Sequence, residues 1–210
     1  MLNATIDADL FRESIDVIAA LVTECRLHTG PDGIRMRAVD TANVAMVSME
    51  LRKDAFEPFS ATPGELGIDI AKMKNILSMM SKGDAITLSL PEGGQKLEIS
   101  FRSYRYSITL LDANTIRKDP NPPTIELPGI AVIAGDTLNN AIKAAAVVSD
   151  KIALGIDPKA ETFYMSAEGD IDHIKLQLAK DELKSLKAAE ARSLFSLDYL
   201  KDMGKVMGKS

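Results

Sequence analysis

Two stretches of this chain, 127 residues apart, repeat one apolar spacing. "DADLFRESIDVIAALV" reads as a helix with Asp9 as its N-cap and Phe11, Ile15, Ile18 and Val22 on one face. "AGDTLNNAIKAAAVVSD" does the same with Leu138, Ile142, Ala145 and Ser149, so that Phe11 and Ile15 stand 127 positions before Leu138 and Ile142. The offset recurs between strand-like "VAMVSMELRKD" (44–54) and "IDHIKLQLAKD" (171–181). It recurs again between "IDIAKMKNILSMMSK" (68–82) and "FSLDYLKDMGKVMGK" (195–209), where Ile68, Ile70, Met73 and Met80 match Phe195, Leu197, Leu200 and Met207. Only around "IRMRA" and "FYMSA" does the register slip, by about two residues. Three matches in order at one spacing mark a duplicated domain.

Between the copies lies "LLDANTIRKDPNPPTIELPG", with Pro120, Pro122, Pro123 and Pro128. Proline fixes φ and donates no amide hydrogen, so this stretch is neither helix interior nor central strand. It is expected to be a linker over 113–129, joining a first domain (1–112) to a second (130–210).

The first copy reads helix, hairpin, strand, helix. The hairpin is "CRLHTGPDGIRMRAV", two alternating runs around Gly-Pro-Asp-Gly. Three more strands follow: "AITLSL", then the turn "PEGG", "KLEISF" with Leu97, Ile99 and Phe101 on one face, and "RYSITLL". The predicted fold class is α+β, two helices on antiparallel sheet per copy. The second copy stops at the position where the first goes on to those three strands. It is therefore expected to be incomplete, and the chain a fragment of a longer protein, because strand edges and an apolar helix face would otherwise stay uncovered.

At 210 residues and 46% hydrophobic content the chain can bury one large core or two modest ones. Its net charge of −5 argues against a generic nucleic-acid binder, although a local basic face remains compatible with it. A single cysteine, Cys25, precludes an intrachain disulfide. With neither a secretory signal nor an apolar run long enough to span a bilayer, a soluble, intracellular (cytoplasmic) protein without membrane attachment is expected.

In this order, "GIRMRAVDTANVAMVSMEL", "IAKMKNIL", "YMSAEGDIDHIKLQL" and "SLFSLDYLKDM" resemble the DNA polymerase sliding clamp, the proliferating cell nuclear antigen family, and its archaeal members in particular. The resemblance covers essentially the whole chain. It implies a ring of three subunits around duplex DNA, with helices lining the hole and strands outside. Such a ring has no catalytic activity and no cofactor. It tethers DNA polymerase, ligase and nucleases through short peptides, and a clamp loader is a further implied partner.

The resemblance makes Arg12, Lys72, Lys74, Lys143, Lys201, Lys205 and Lys209, the basic residues of the four inner helices, candidates to face DNA; matched position by position, Arg12, Lys143 and Lys205 fall on the family's channel-facing basic positions. Contacts there would be to phosphates, without sequence information. On spacing alone, the Lys201/Lys205/Lys209 stripe also reads as a solvated helix face paired with Asp198 and Asp202. The implied peptide-docking set is Asn43, Val44 and Met46 with Ile125 and Leu127 of the linker. The implied subunit contact joins Tyr104, Arg105, Tyr106 and Ile108 to His173, Lys175 and Gln177 of a neighbour, with Arg102 or Arg105 reaching Asp136 or Asp150.

An enzyme is poorly supported. His28, His173 and Cys25 lack metal-site spacing, so no metal is expected. Asp112, Asn114 and Lys118 are a thin polar set for an interdomain cleft, and Asp40 in "VDTANV" reads as a turn cap. A clamp-like protein that docks partners without closing a ring is the other alternative.

Overall fold

The computed structural model describes residues 1–207, which form two compact units, Met1–Pro122 and Pro123 onward. In the first unit the elements run β1 (Leu2–Asp7), α1 (Ala8–Ala19), β2 (Glu24–Gly30), β3 (Gly33–Val39) and β4 (Met46–Arg52). They continue as β5 (Phe56–Ala61), β6 (Gly64–Asp69), α2 (Ile70–Leu77), β7 (Ala85–Leu90), β8 (Lys96–Phe101) and β9 (Tyr104–Thr109). The second unit holds β10 (Ile130–Val132), α3 (Gly135–Val148), β11 (Lys151–Asp157), β12 (Thr162–Glu168), β13 (His173–Ala179), β14 (Ser185–Lys187), β15 (Ala191–Ser196) and α4 (Leu197–Met207). No described helix is long and apolar enough to cross a membrane.

The α+β class predicted from the sequence is the class observed. In the first unit an antiparallel sheet of order β5-β1-β7-β8-β9 and another of order β4-β3-β2-β6 carry the helices. Period-two alternation drives them: Leu2, Ala4 and Ile6 of β1 and Leu97, Ile99 and Phe101 of β8 are buried while their neighbours face out. Phe11, Ile15 and Ile18 of α1 and Ile70, Met73, Ile76 and Leu77 of α2 turn inward and complete this core. In the second unit Ile142 and Ala145 of α3 and Leu197 of α4 pack with Ile152, Phe163 and Met165 of the sheet β13-β12-β11-β15.

The duplication is visible element by element. α1 and α3, β2 and β11, β4 and β13, and α2 and α4 each begin 127 residues apart. β12 begins 129 after β3, because the loop between β11 and β12 (158–161) is two residues longer than that between β2 and β3 (31–32). The following loop, 169–172 against 40–45, is two residues shorter and restores the offset.

Two local expectations need correction. The N-cap of α1 is Asp7, whose carboxylate accepts from the amides of Asp9 and Leu10 at 2.9 Å. Asp9 lies instead in the first helical turn and pairs with Arg12. α2, Ile70–Leu77, coincides with the stretch "IAKMKNIL"; it is capped by Asp69 and preceded by a strand. β1, β5 and β6, absent from the sequence reading, are formed. β5 and β6 lie at sheet edges, where Pro58 and Gly64 are tolerated.

Cys25 is buried in β2, and burial, with the Asp119 carboxylate adding to it, pushes its thiol up to about 12. A raised acid favours the neutral thiol in the fold. Its contribution to stability is complete below the ordinary thiol range and is lost as pH climbs from there towards about 12. Iodoacetamide at about pH 8.5, the ordinary thiol value, should therefore leave the native chain unlabelled and label the urea-unfolded chain fully. Native labelling at the rate of a free thiol would contradict this burial.

Candidate functional site

Helix amphipathicity decides where the cations stand. With the apolar stripes of α1 and α2 turned inward, Lys72 and Lys74 lie on the exposed side, as do Lys143 on α3 and Lys201 and Lys205 on α4 of the other unit. Lys74 pairs with Asp16 at 3.0 Å, Lys72 with Asp69 at 3.8 Å and Lys205 with Asp202 at 2.9 Å. These lysines keep more than half of their side-chain surface in water. Exposed pairs of this kind contribute about 0–1 kcal/mol, so a phosphate can displace the carboxylate readily. Lys209 lies outside the described residues.

Arg12 stands apart from that set. Its guanidinium donates to the carbonyls of Leu77 (3.1 Å) and Met80 (2.9 Å). Leu77 ends α2 and Met80 follows it by three residues, in the stretch where helix-end carbonyls need partners outside the helix. Arg12 thus ties the two helices of its unit together and has less freedom than the lysines to meet an external anion. Nothing in the spacing of "LFRES" announces this, since the acceptors lie about 65 residues further along the chain.

The turn between β3 and β4 is built on one carboxylate. Asp40 is buried and accepts from the amides of Ala42 (3.1 Å), Val44 (2.8 Å) and Ala45 (2.9 Å), the turn-capping role expected of it. Asn43 takes a left-handed φ of 60°, which asparagine tolerates, and Val44 is left 66% exposed at the tip. Met46 is half-buried at the start of β4.

The leading part of the proline-rich segment is fastened to the first unit. Gly67 makes its entry possible: the amide of Leu111 donates to the Gly67 carbonyl at 2.9 Å, and a Cβ on Gly67 would lie 2.3 Å from the Leu111 oxygen. Ile116 is buried, and Arg26 donates to its carbonyl at 2.7 Å. Arg37 donates to the Pro120 carbonyl at 3.4 Å, and the Nε2 atom of His28 lies 3.0 Å from the Asp119 carboxylate. Arg117 donates to the Asp40 carbonyl and the Asn43 side chain. Asp112 and Asn114 close a local turn on one another. Ile125 and Leu127, assigned to the second unit, are 65% and 69% exposed. The sequence reading missed the arginines and His28 as linker contacts. The outward positions of Arg26, His28 and Arg37 on alternating strands were the available signal.

The two strands expected to meet across subunits each end a sheet. β9 borders the five-stranded sheet and β13 borders the sheet of the second unit. On β9, Tyr104 and Arg105 are exposed, Tyr106 and Ile108 half-buried, and Tyr104 stacks on Phe101 at 5.1 Å. On β13, His173, Lys175 and Gln177 face solvent while Leu178 faces the core. Lys175 sits 5.1 Å over the Tyr164 ring, and Gln177 donates to Thr162 at 3.2 Å. An apolar groove of about 240 Å³ lies between α3 and this edge, lined by Ala141, Ala144, Ile174 and Leu176. Arg102 is engaged by Asp84 within the first unit, at 2.7 Å. Among the described residues no three His, Cys, Asp or Glu side chains are grouped to hold a metal.

Removing the Asp40 carboxylate leaves three amides without their acceptor. Asp40→Ala should cost about 1–3 kcal/mol in urea unfolding and speed hydrogen exchange at Val44 and Ala45. Unchanged protection at both amides would show that the turn holds without its central carboxylate.

The proliferating cell nuclear antigen N-terminal domain family matches residues 1–115. A DNA polymerase sliding clamp of Methanoculleus marisnigri is 73% identical over 210 residues, covering 100% of this chain and 85% of the relative. One from Methanosphaerula palustris is 69% identical over the same span. Among solved structures, that of A. fulgidus PCNA bound to the C-terminal region of FEN-1 superposes with a TM-score of 0.94 at 35% identity, covering 99% of this chain and 84% of that one. PCNA from Thermococcus kodakaraensis gives a TM-score of 0.91 at 25% identity, over 99% and 86% of the two chains.

Proposed function

The chain belongs to the proliferating cell nuclear antigen family of DNA polymerase sliding clamps, and from that premise we propose that it is one subunit of a three-membered ring that encircles duplex DNA and tethers replication and repair enzymes to it. The observation that supports this most strongly is the 73% identity, across all 210 residues, to a DNA polymerase sliding clamp. The chain works inside the cell as a scaffold, and its contribution to replication is processivity, with no chemistry of its own.

In this reading β9 of one subunit adds to β13 of the next. Two unpaired backbone edges are the natural substrate for such pairing, and a head-to-tail contact closes when its rotation does. Lys72, Lys74, Lys143, Lys201 and Lys205, with Lys209 and the less mobile Arg12, face the DNA. They neutralise phosphates without reading bases, so the ring can slide. Asn43, Val44, Met46, Ile125 and Leu127 receive the short peptides of DNA polymerase, ligase, nucleases and the clamp loader, an apolar anchor mode. A. fulgidus PCNA, the likeness noted above, is bound to the C-terminal region of FEN-1. The division into 1–112, 113–129 and 130–210 assigns the ring's two repeats and the segment that joins them.

Light scattering should return three times the chain mass at micromolar concentration, and Ile108→Asp on β9 should return a monomer. A monomeric wild type over a wide concentration range would exclude the homotrimeric ring. Binding to duplex DNA should weaken steeply with salt. Replacing Lys143, Lys201 and Lys205 together by alanine, three lysines in each of three subunits, should lower the slope of log affinity against log salt by up to about 8, at about 0.9 per phosphate contact. An unchanged slope would remove these lysines from the DNA-facing set.

A further inference from the structure

Arg117 occupies a place that the docking reading does not use. The Asp40–Ala45 turn is closed internally by the Asp40 carboxylate, by the Asp40 amide donating to the Ala45 carbonyl (3.1 Å) and by the Asn43 amide donating to the Asp40 carbonyl (3.2 Å). The Asp40 carbonyl and the Asn43 side-chain oxygen also meet one guanidinium from the proline-rich segment. Arg117 donates through Nη1 to Asp40 O at 3.0 Å and through Nη2 to Asn43 Oδ1. Asn43 is the residue with φ of 60°, so the fork grips the turn at its least ordinary backbone position.

Arg117 is itself held. Ile116, the residue before it, is 4% exposed, and the Ile116 carbonyl receives both Nε (3.2 Å) and Nη2 (2.7 Å) of Arg26. Downstream, Asp119 lies 3.0 Å from His28 and the Pro120 carbonyl accepts from Arg37. The span 116–120 is therefore a brace across the outer strands β2 and β3.

The geometry points to Arg117 as a positioning residue for partner docking: it couples the Asn43–Val44 turn to the braced linker, so that the turn is held in its docking conformation before a peptide arrives. This rests on the docking reading given under the proposed function. A guanidinium suits the task because its planar fork serves two acceptors at fixed spacing, which an ammonium cannot do. If losing the fork leaves the competent turn populated about one tenth of the time, apparent affinity falls about tenfold.

The test is a double-mutant cycle on the full chain, with a synthetic peptide of the FEN-1 C-terminal region as probe. Arg117→Met should weaken binding about tenfold and speed exchange of the Val44 and Ala45 amides while leaving that of the β8 amides unchanged. Asn43→Gly keeps the left-handed φ and removes the Oδ1 acceptor, so it should weaken binding by a similar factor. The double variant should be no worse than the more damaging single one, since both remove the same contact. Arg117→Lys should recover only part of the loss, and as it keeps the charge and the stem it tests the idea even if the methionine variant folds poorly. Val44→Asp separates the two levels of interpretation. If it leaves peptide binding intact, the docking reading itself fails. If it abolishes binding while Arg117→Met and Arg117→Lys bind like wild type, or the two single losses simply add, the positioning role is overturned.

Discussion

Burial of an apolar helix face against antiparallel sheet is the constraint from which the other features follow. Phe11, Ile15 and Ile18 on α1 and Met73, Ile76 and Leu77 on α2 have one low-energy destination, the interior of their unit. A helix of period 3.6 that commits these positions inward must present Lys72 and Lys74 outward. The same holds for Lys143 on α3 and for Lys201 and Lys205 on α4, where Ile142 and Leu197 are the buried counterparts. The cationic surface is thus a by-product of core formation. In a chain of net charge −5 this surface is partly offset by Asp16, Asp69 and Asp202 beside the lysines, while other acids serve away from it, Asp7 as the cap of α1 and Asp40 at the centre of its turn.

Around that core the polar interactions mostly organise loops. Arg12 closes the end of α2, Asp40 closes the turn after β3, and Arg26, Arg37, Arg117 and His28 fasten the start of the proline-rich segment. Prolines stiffen that segment but cannot locate it, because they remove donors and add none. Its location comes from its carbonyls meeting Arg26 and Arg37 of the neighbouring strands and from its own Arg117 donating to the Asp40 turn.

Much of this could be read from the residues. The duplication, the α+β class, the hairpins at Pro31–Asp32 and after Leu90, and the buried faces of α1 and β8 all follow from local periodicity and turn chemistry. β1 carries the same alternation in Leu2, Ala4 and Ile6, whereas β5 and β6 could not be read in this way. Pro58, Pro63, Gly64 and Gly67 are breakers by propensity, and only pairing at a sheet edge makes strands of Phe56–Ala61 and Gly64–Asp69. The site divides along the same line. Outward lysines are a local consequence of helix period, and Asp40 caps residues two to five positions away. Arg12 and Arg117 act on carbonyls 65 and 77 residues distant, and no spacing rule reaches that far.

The two-residue exchange between neighbouring loops has a consequence of parity. Side chains alternate along a strand, so moving β12 by two positions relative to β3 keeps every residue on its proper face, whereas a shift of one would have turned the strand inside out. Length could therefore pass from one end of the strand to the other only in even steps. That step lengthened the loop before β12 and left the turn after it four residues long, against six after β3. The six-residue turn, with its central carboxylate and its protruding valine, thus occurs once among the described residues although the fold occurs twice. On the docking reading proposed above, partners would be counted by chains and not by domains.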